Sequence, residues 1–136
     1  MPKKLMPTPR PFLMFTGDAT AAMSLYVAAF PDSRVVSAEL YDANGPGADG
    51  TVKVAIFTIC GREFMCSDSP VKHAFTFTPS SSIFVECESM EVLENAMKSL
   101  SQGGQFLMPP GNYGFSKHFC WFNDRFGVSW QLNLAT

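Results

Sequence analysis

The stretch Asn123-Asp124-Arg125-Phe126-Gly127-Val128-Ser129-Trp130-Gln131-Leu132-Asn133-Leu134 decides the fold. It opens with turn chemistry, Asp124 suiting the first position of a tight turn and Gly127 a positive φ. Beyond the turn the residues alternate. Successive side chains of a strand point to opposite faces, so Val128, Trp130, Leu132 and Leu134 form one apolar stripe. Ser129, Gln131 and Asn133 form a polar row on the other side. The stripe is core, and the row faces either a small-molecule cavity or solvent.

Working outward, the residues from His118 to Phe122 pair with this strand as a hairpin turned at Asp124 to Gly127. Ahead of them lie a loop, Pro109 to Gly114, and a short strand near Gln105 to Met108. A helix from Met90 to Ser101 carries Leu93, Ala96, Met97 and Leu100 as its apolar stripe, and Gly103-Gly104 ends it. Ser82 to Cys87 reads as a strand before that helix. The first half repeats this order. An apolar run from Pro11 to Thr16 leads through Gly17-Asp18, a plausible helix cap, into a helix with Ala22, Leu25, Tyr26 and Ala29 at helical spacing. Pro31 stops it. Strands follow from Ser33 to Tyr41 and from Thr51 to Ile59, and Cys60-Gly61 turns the chain into Glu63 to Ser67.

Each half is therefore strand, helix, strand, strand, strand, at a spacing of roughly 65 residues. Gly61 aligns with Gly127, Phe64 with Trp130 and Met65 with Gln131. The expected fold class is α+β: two βαβββ modules, residues 10–69 and 70–136 of a single domain, forming a curved mixed sheet. One face is covered by helices and the other left free to enclose a cavity.

Composition narrows the function classes. The 136 residues are 46% apolar and 16% charged, enough for one hydrophobic core. A formal charge of −2 without a basic block argues against nucleic acid as a partner. No run reaches the ~18 apolar residues of a membrane span, and Pro2, Pro7, Pro9 and Pro11 interrupt the N-terminal stretch behind Lys3 and Lys4. A cytoplasmic protein without membrane contact is expected. Cys60, Cys66, Cys87 and Cys120 show no metal-finger spacing and read as buried reduced thiols.

The chain resembles the vicinal-oxygen-chelate superfamily of glyoxalase I, bleomycin-resistance proteins and extradiol dioxygenases. More narrowly it is similar to the PhnB-like, or demethylubiquinone methyltransferase-like, branch. Phe12-Leu13-Met14-Phe15 before an Ala-rich helix, Phe30-Pro31-Asp32-Ser33, Phe64-Met65-Cys66-Ser67-Asp68-Ser69, His73-Ala74-Phe75 and Val85-Glu86-Cys87 carry the likeness. Asp124-Arg125-Phe126-Gly127-Val128-Ser129-Trp130-Gln131 is its most specific part. The resemblance implies paired modules, a cup-shaped cavity and, commonly, a homodimer. In metal-dependent members the ligands come from the first and last strands of each module. By motif those places are Pro11 and Met65, and about Ser81 and Gln131. None offers the imidazole or carboxylate that a divalent metal of this chemistry takes. Nor does the chain show the glycine-rich strand-to-helix turn of the doubly wound methyltransferases, so S-adenosylmethionine is not expected.

The sequence thus points to a small-molecule-binding protein of the glyoxalase/bleomycin-resistance type without the usual metal set. Its expected ligand-binding residues are Gln131, Ser129, Trp121, Met65 and Phe15. The alternative is a lyase/isomerase-like enzyme with a rebuilt divalent-metal site or a metal-free histidine base. His118, His73 and Glu63 are the catalytic candidates for it, the two histidines being the side chains that titrate nearest neutrality.

Overall fold

A computed structural model describes residues 6–135 of the chain. Lys3, Lys4 and Thr136, the end of the expected second module, lie outside the described residues. The elements are β1 (Phe12–Phe15), α1 (Ala19–Ala29), β2 (Arg34–Leu40), β3 (Val52–Ile59) and β4 (Arg62–Asp68) in the first half. The second half has β5 (Ser82–Cys87), α2 (Met90–Ser101), β6 (Gln105–Gly111), β7 (Phe119–Asn123) and β8 (Ser129–Leu134). The fold class is as expected, α+β with two βαβββ units of mixed sheet.

The sheet comes in two parts. One has the order β1-β4-β3-β2 and the other β5-β8-β7-β6. In each, the first strand runs parallel to the last, and the remaining pairs are antiparallel. β1 and β5 are thus edge strands. Among the described residues no helix is long and apolar enough to cross a membrane.

A single core joins the halves. Leu13, Phe57 and Cys66 of the first sheet and Val85, Phe122, Trp130 and Leu132 of the second pack into one cluster with the buried residues of both helices. α1 lies between the sheets: Tyr26 meets the Phe57 ring at 6.2 Å and the Trp130 ring at 5.0 Å. Ala19, Ala22, Met23, Tyr26 and Ala29 are all buried, whereas α2 buries only Leu93, Ala96 and Leu100. α2 is the ordinary amphipathic helix; α1 is a core helix. The fully buried Trp130 also stacks on Phe30 at 5.7 Å, and burying an aromatic of this size contributes about 3 kcal/mol.

Two buried carboxylates hold this arrangement. Asp68, at the end of β4, accepts from Gly17 N (2.7 Å), Ala19 N (3.0 Å) and Val52 N (2.9 Å). It supplies the N-terminal cap of α1, and the side chain of Asp18, in the expected place, makes no such bond. Asp124 accepts from Phe126 N (2.8 Å) and Val128 N (3.1 Å) within its turn. Its other oxygen accepts from Tyr26 OH (2.6 Å) and Trp130 Nε1 (2.9 Å), fastening α1 of the first half to the last hairpin of the second. Turn chemistry was expected of Asp124; the tie between halves was not.

Most strand ends shift by one residue, and two shifts bear on the site. β6 runs on through Pro109-Pro110 to Gly111, where a loop was expected. Prolines are tolerated because β6 is an edge strand with register shifts beside Met108. His118 falls just outside β7.

Candidate functional site

Strand parity separates each sheet into a helix-side face, which looks into the shared core, and an outer face turned away from it. On the second sheet Ser129, Gln131 and Asn133 of β8 lie on the outer face, as the alternation implied. Register gives each a neighbour on both sides. Ser129 stands between Ser82 and Asn123, Gln131 between Phe84 and Trp121, and Asn133 between Glu86 and Phe119.

The two ends of the polar row are tied down. The Ser129 hydroxyl accepts from Trp121 Nε1 at 2.8 Å and is bonded to Ser82 Oγ at 2.8 Å, leaving Ser129 1% exposed. Asn133 donates through Nδ2 to Glu86 Oε2 at 3.1 Å and accepts from the Ser116 hydroxyl. Gln131, half-buried between them, makes no side-chain hydrogen bond among the described residues. The anchored Trp121 indole leans toward Ser129. On the other side Phe84 lies 6.3 Å from Phe119, a ring that also packs on Tyr113 (6.0 Å) and Phe115 (5.0 Å) of the preceding loop. An amide with two donor hydrogens and an acceptor oxygen is thus presented between the anchored Trp121 and the half-exposed Phe84. Such a surface can hydrogen-bond and stack against a planar or amide-bearing molecule.

The other expected site residues do not converge with these. Met65 lies on the outer face of the first sheet, beside Phe12 and Ile56. Phe15 is on the helix side, buried, with Phe77 at 5.2 Å and Phe126 at 6.1 Å; it is core, because β1 alternates Leu13 and Phe15 inward. Ser129 is spent on internal bonds and positions Trp121. Glu63 sits exposed at the start of β4, paired with Arg10 at 3.1 Å. His118 is exposed, on the parity of the core residue Cys120 rather than of Trp121, and it makes no side-chain hydrogen bond among the described residues. His73 lies between the modules, bonded through Nε2 to Ser69 Oγ at 2.9 Å and stacked on Phe75 at 4.7 Å.

Sequence reasoning missed Phe84 and Phe119. The signal for the first was present, since Ser82, Phe84 and Glu86 alternate with the apolar Ile83, Val85 and Cys87. What was lacking was the parallel register that sets β5 beside β8.

Register also tests the metal question. The neighbour of Met65 across β1–β4 is Phe12, not Pro11, and that of Gln131 across β5–β8 is Phe84, not Ser81. Two phenyl rings, a thioether and one amide do not fit a divalent cation, which takes imidazole or carboxylate ligands. Among the described residues no three His, Cys, Asp or Glu side chains converge. Burial pushes the thiols of Cys66 and Cys87 up to about 12 and that of Cys120 to about 11, so they stay protonated at neutral pH.

Clefts lie in the seam between the sheets. One of about 550 Å³ is lined by Leu13, Phe64, Thr76, Ser82, Phe84 and Ser129. Another of about 740 Å³ runs from Arg10 and Cys60 to Phe84 and Glu86. Gln131, Trp121 and Met65 line neither.

Comparison with known proteins gives this arrangement a family. A Bacillus cereus protein described as a 3-demethylubiquinone-9 3-methyltransferase, PhnB protein, has 53% sequence identity over 93% of this chain and 98% of its own, with a TM-score of 0.91. A Pseudomonas aeruginosa protein, PA1353, has 24% identity over 95% and 98%, with a TM-score of 0.82. The fosfomycin resistance protein FosX of Listeria monocytogenes, solved with Mn(II) and sulfate, shares the fold at 13% identity over 98% and 93%, with a TM-score of 0.62. Among curated proteins none matches the sequence. The family model for 3-demethylubiquinone-9 3-methyltransferase matches residues 8–133, and with that match over most of its length the chain belongs to this PhnB-like family.

Proposed function

We propose that the chain is a non-metallated small-molecule-binding protein that holds its ligand on the outer face of the second sheet and acts as a homodimer. The observation that carries this reading is Gln131: an unpartnered amide, flanked by Phe84 and Trp121, in a row whose other polar groups are already satisfied. Polar atoms braced this way are pre-organised, so a ligand does not bear the cost of ordering them. Gln131 is only half-buried in the single chain and lines neither seam cleft, and a ligand site usually encloses most of its occupant. A second copy laid against the exposed Phe84 supplies the missing wall. The face carries no Lys or Arg beside Gln131, so the ligand is neutral rather than a phosphonate or phosphate.

Methyl transfer is not the reading we favour, despite the family's description. The strand-to-helix turns here are Thr16-Gly17-Asp18 and Glu88-Ser89, and neither is the glycine-rich turn of a parallel doubly wound sheet that cradles such a cofactor. The test is a thermal-shift screen of neutral aromatic and amide compounds on protein purified without chelators, with metal analysis alongside. Stabilisation by a compound, abolished in Gln131→Ala, is the expected result. Stoichiometric metal held by residues of the outer face, or binders indifferent to Gln131, would overturn the proposal.

A further inference from the structure

Between the modules, residues 69–77 fold back over the end of β1 and leave a cleft of about 400 Å³ lined by Phe12, Met14, Lys72, His73, Phe75 and Phe126. It is separate from the Gln131 face, and the inference drawn from it does not rest on the reading above.

The hydrogen bonds at its rim assign a tautomer. Ser69 Oγ lies 2.9 Å from Val71 O and 2.9 Å from His73 Nε2, and it accepts from Val71 N at 3.2 Å. A serine has one hydrogen to donate. Val71 O has none, so the hydrogen between the two oxygens is the serine's. The hydrogen between Ser69 and His73 is then the histidine's. A neutral imidazole that carries its proton on Nε2 has a bare lone pair on Nδ1. No described residue bonds that nitrogen. Phe75, stacked on the ring at 4.7 Å and 18°, and the Ser69 bond together fix its plane.

The rest of the cleft fits a ring. Phe12, Phe75 and Phe126 supply aromatic surface, and the volume lies at the low end for ligand sites, room for a single substituted ring. Lys72 and Asp18 both line it, and neither forms an ion pair among the described residues, so their charges offset and no net charge selects an ion. The geometry points to a second binding site, whose ligand is a small neutral aromatic ring bearing a hydrogen-bond donor, held by donation to His73 Nδ1.

Phenol and anisole test it, the same ring with and without the donor. Both are titrated while the imidazole nitrogens of His73 are followed by NMR. The free protein is expected to show the Nε2–H tautomer, with phenol shifting Nδ1 and binding about tenfold more tightly than anisole, the difference one hydrogen bond makes. His73→Ala abolishes the preference. Ser69→Ala, which keeps the ring and the Ser69 N to Phe15 O bond but removes the hydroxyl's bonds to Val71 and His73, releases the tautomer and weakens phenol. The phenol shifts persist in Gln131→Ala, even if that variant has lost the binders of the other face. An Nδ1–H tautomer in the free protein, equal affinity for phenol and anisole, or loss of the phenol shifts in Gln131→Ala would each overturn the proposal.

Discussion

The hairpins β3–β4 and β7–β8 hold the same place in their modules and share a glycine at the turn, yet they differ in almost everything else. The first turns on Cys60-Gly61 in the open and sends Glu63, Met65 and Ser67 to its outer face. The second turns on the buried Asp124 and sends out Ser129, Gln131 and Asn133. On the core side the two agree, with Phe64 and Cys66 answering Trp130 and Leu132. A repeated topology constrains the stripe that packs beneath it, because every change there opens a void or forces a clash. It places no such demand on the outer face. The two outer faces accordingly diverge, with the polar row Ser129–Asn133 on the second sheet and Glu63, Met65 and Ser67 on the first.

The sharpest break in that comparison is Asp124→Ala. It strands the Tyr26 hydroxyl, the Trp130 indole and two backbone N–H groups in the core, and the loss expected is about 4 kcal/mol. Urea denaturation measures it, and a loss below about 1 kcal/mol would show that the halves do not depend on this tie. Burial and the Asp124 carboxylate raise the Tyr26 hydroxyl far above its usual range, so it remains a donor at any working pH. Asp68→Ala comes next. It removes an acceptor from Gly17, Ala19 and Val52 and should cost about 2–3 kcal/mol, while Asp18→Ala costs less than about 0.5. The reverse order would return the cap of α1 to Asp18.

Much of this was legible in the sequence. The order of elements, both helices, the stripe Val128–Leu134 and the outward row Ser129–Asn133 follow from periodicity and turn residues, which are local properties. The cap that Asp68 gives α1 and the bond from Tyr26 to Asp124 were not legible, because each joins residues about fifty to a hundred positions apart, and no local pattern encodes such a contact. That Phe15 turns inward was not legible for a related reason. A four-residue strand of Phe, Leu, Met and Phe has no polar alternation to say which parity is inward. The pairing of Phe84 with Gln131 required the parallel register, which only the assembled sheet supplies.

A smaller effect distinguishes the halves by pH. Cys66 lies in the first sheet, Cys87 and Cys120 in the second, and all three thiols are raised, chiefly by burial, from 9.0. A thiol raised in the folded chain adds stability that is complete below pH 9 and is lost as pH climbs toward the folded value. Under reducing conditions the stability should therefore be level to pH 8 and fall between pH 9 and 11. Replacing one of these cysteines by alanine should lessen that slope by up to about 1.4 kcal/mol per pH unit. Two such steps belong to the second sheet and one to the first. A slope unchanged by Cys120→Ala would mean that this thiol reaches solvent in the native state.

The smallest effect on stability carries the most about function. Gln131→Met copies onto the second sheet what the first carries at the equivalent Met65. The Gln131 amide has no partner to strand, so the change in stability should stay within about 0.5 kcal/mol. Met65→Gln places an amide between Phe12 and Ile56 on the other outer face, where its neighbouring pair is the solvent-exposed Arg10–Glu63 and not Ser82–Ser129 or Glu86–Asn133. If the braced row makes the site, Gln131→Met ends the thermal shift given by a ligand, and Met65→Gln in that background does not restore it. Restoration would show that a bare amide on either sheet suffices, and the asymmetry between the modules would then be an accident of sequence rather than the basis of binding.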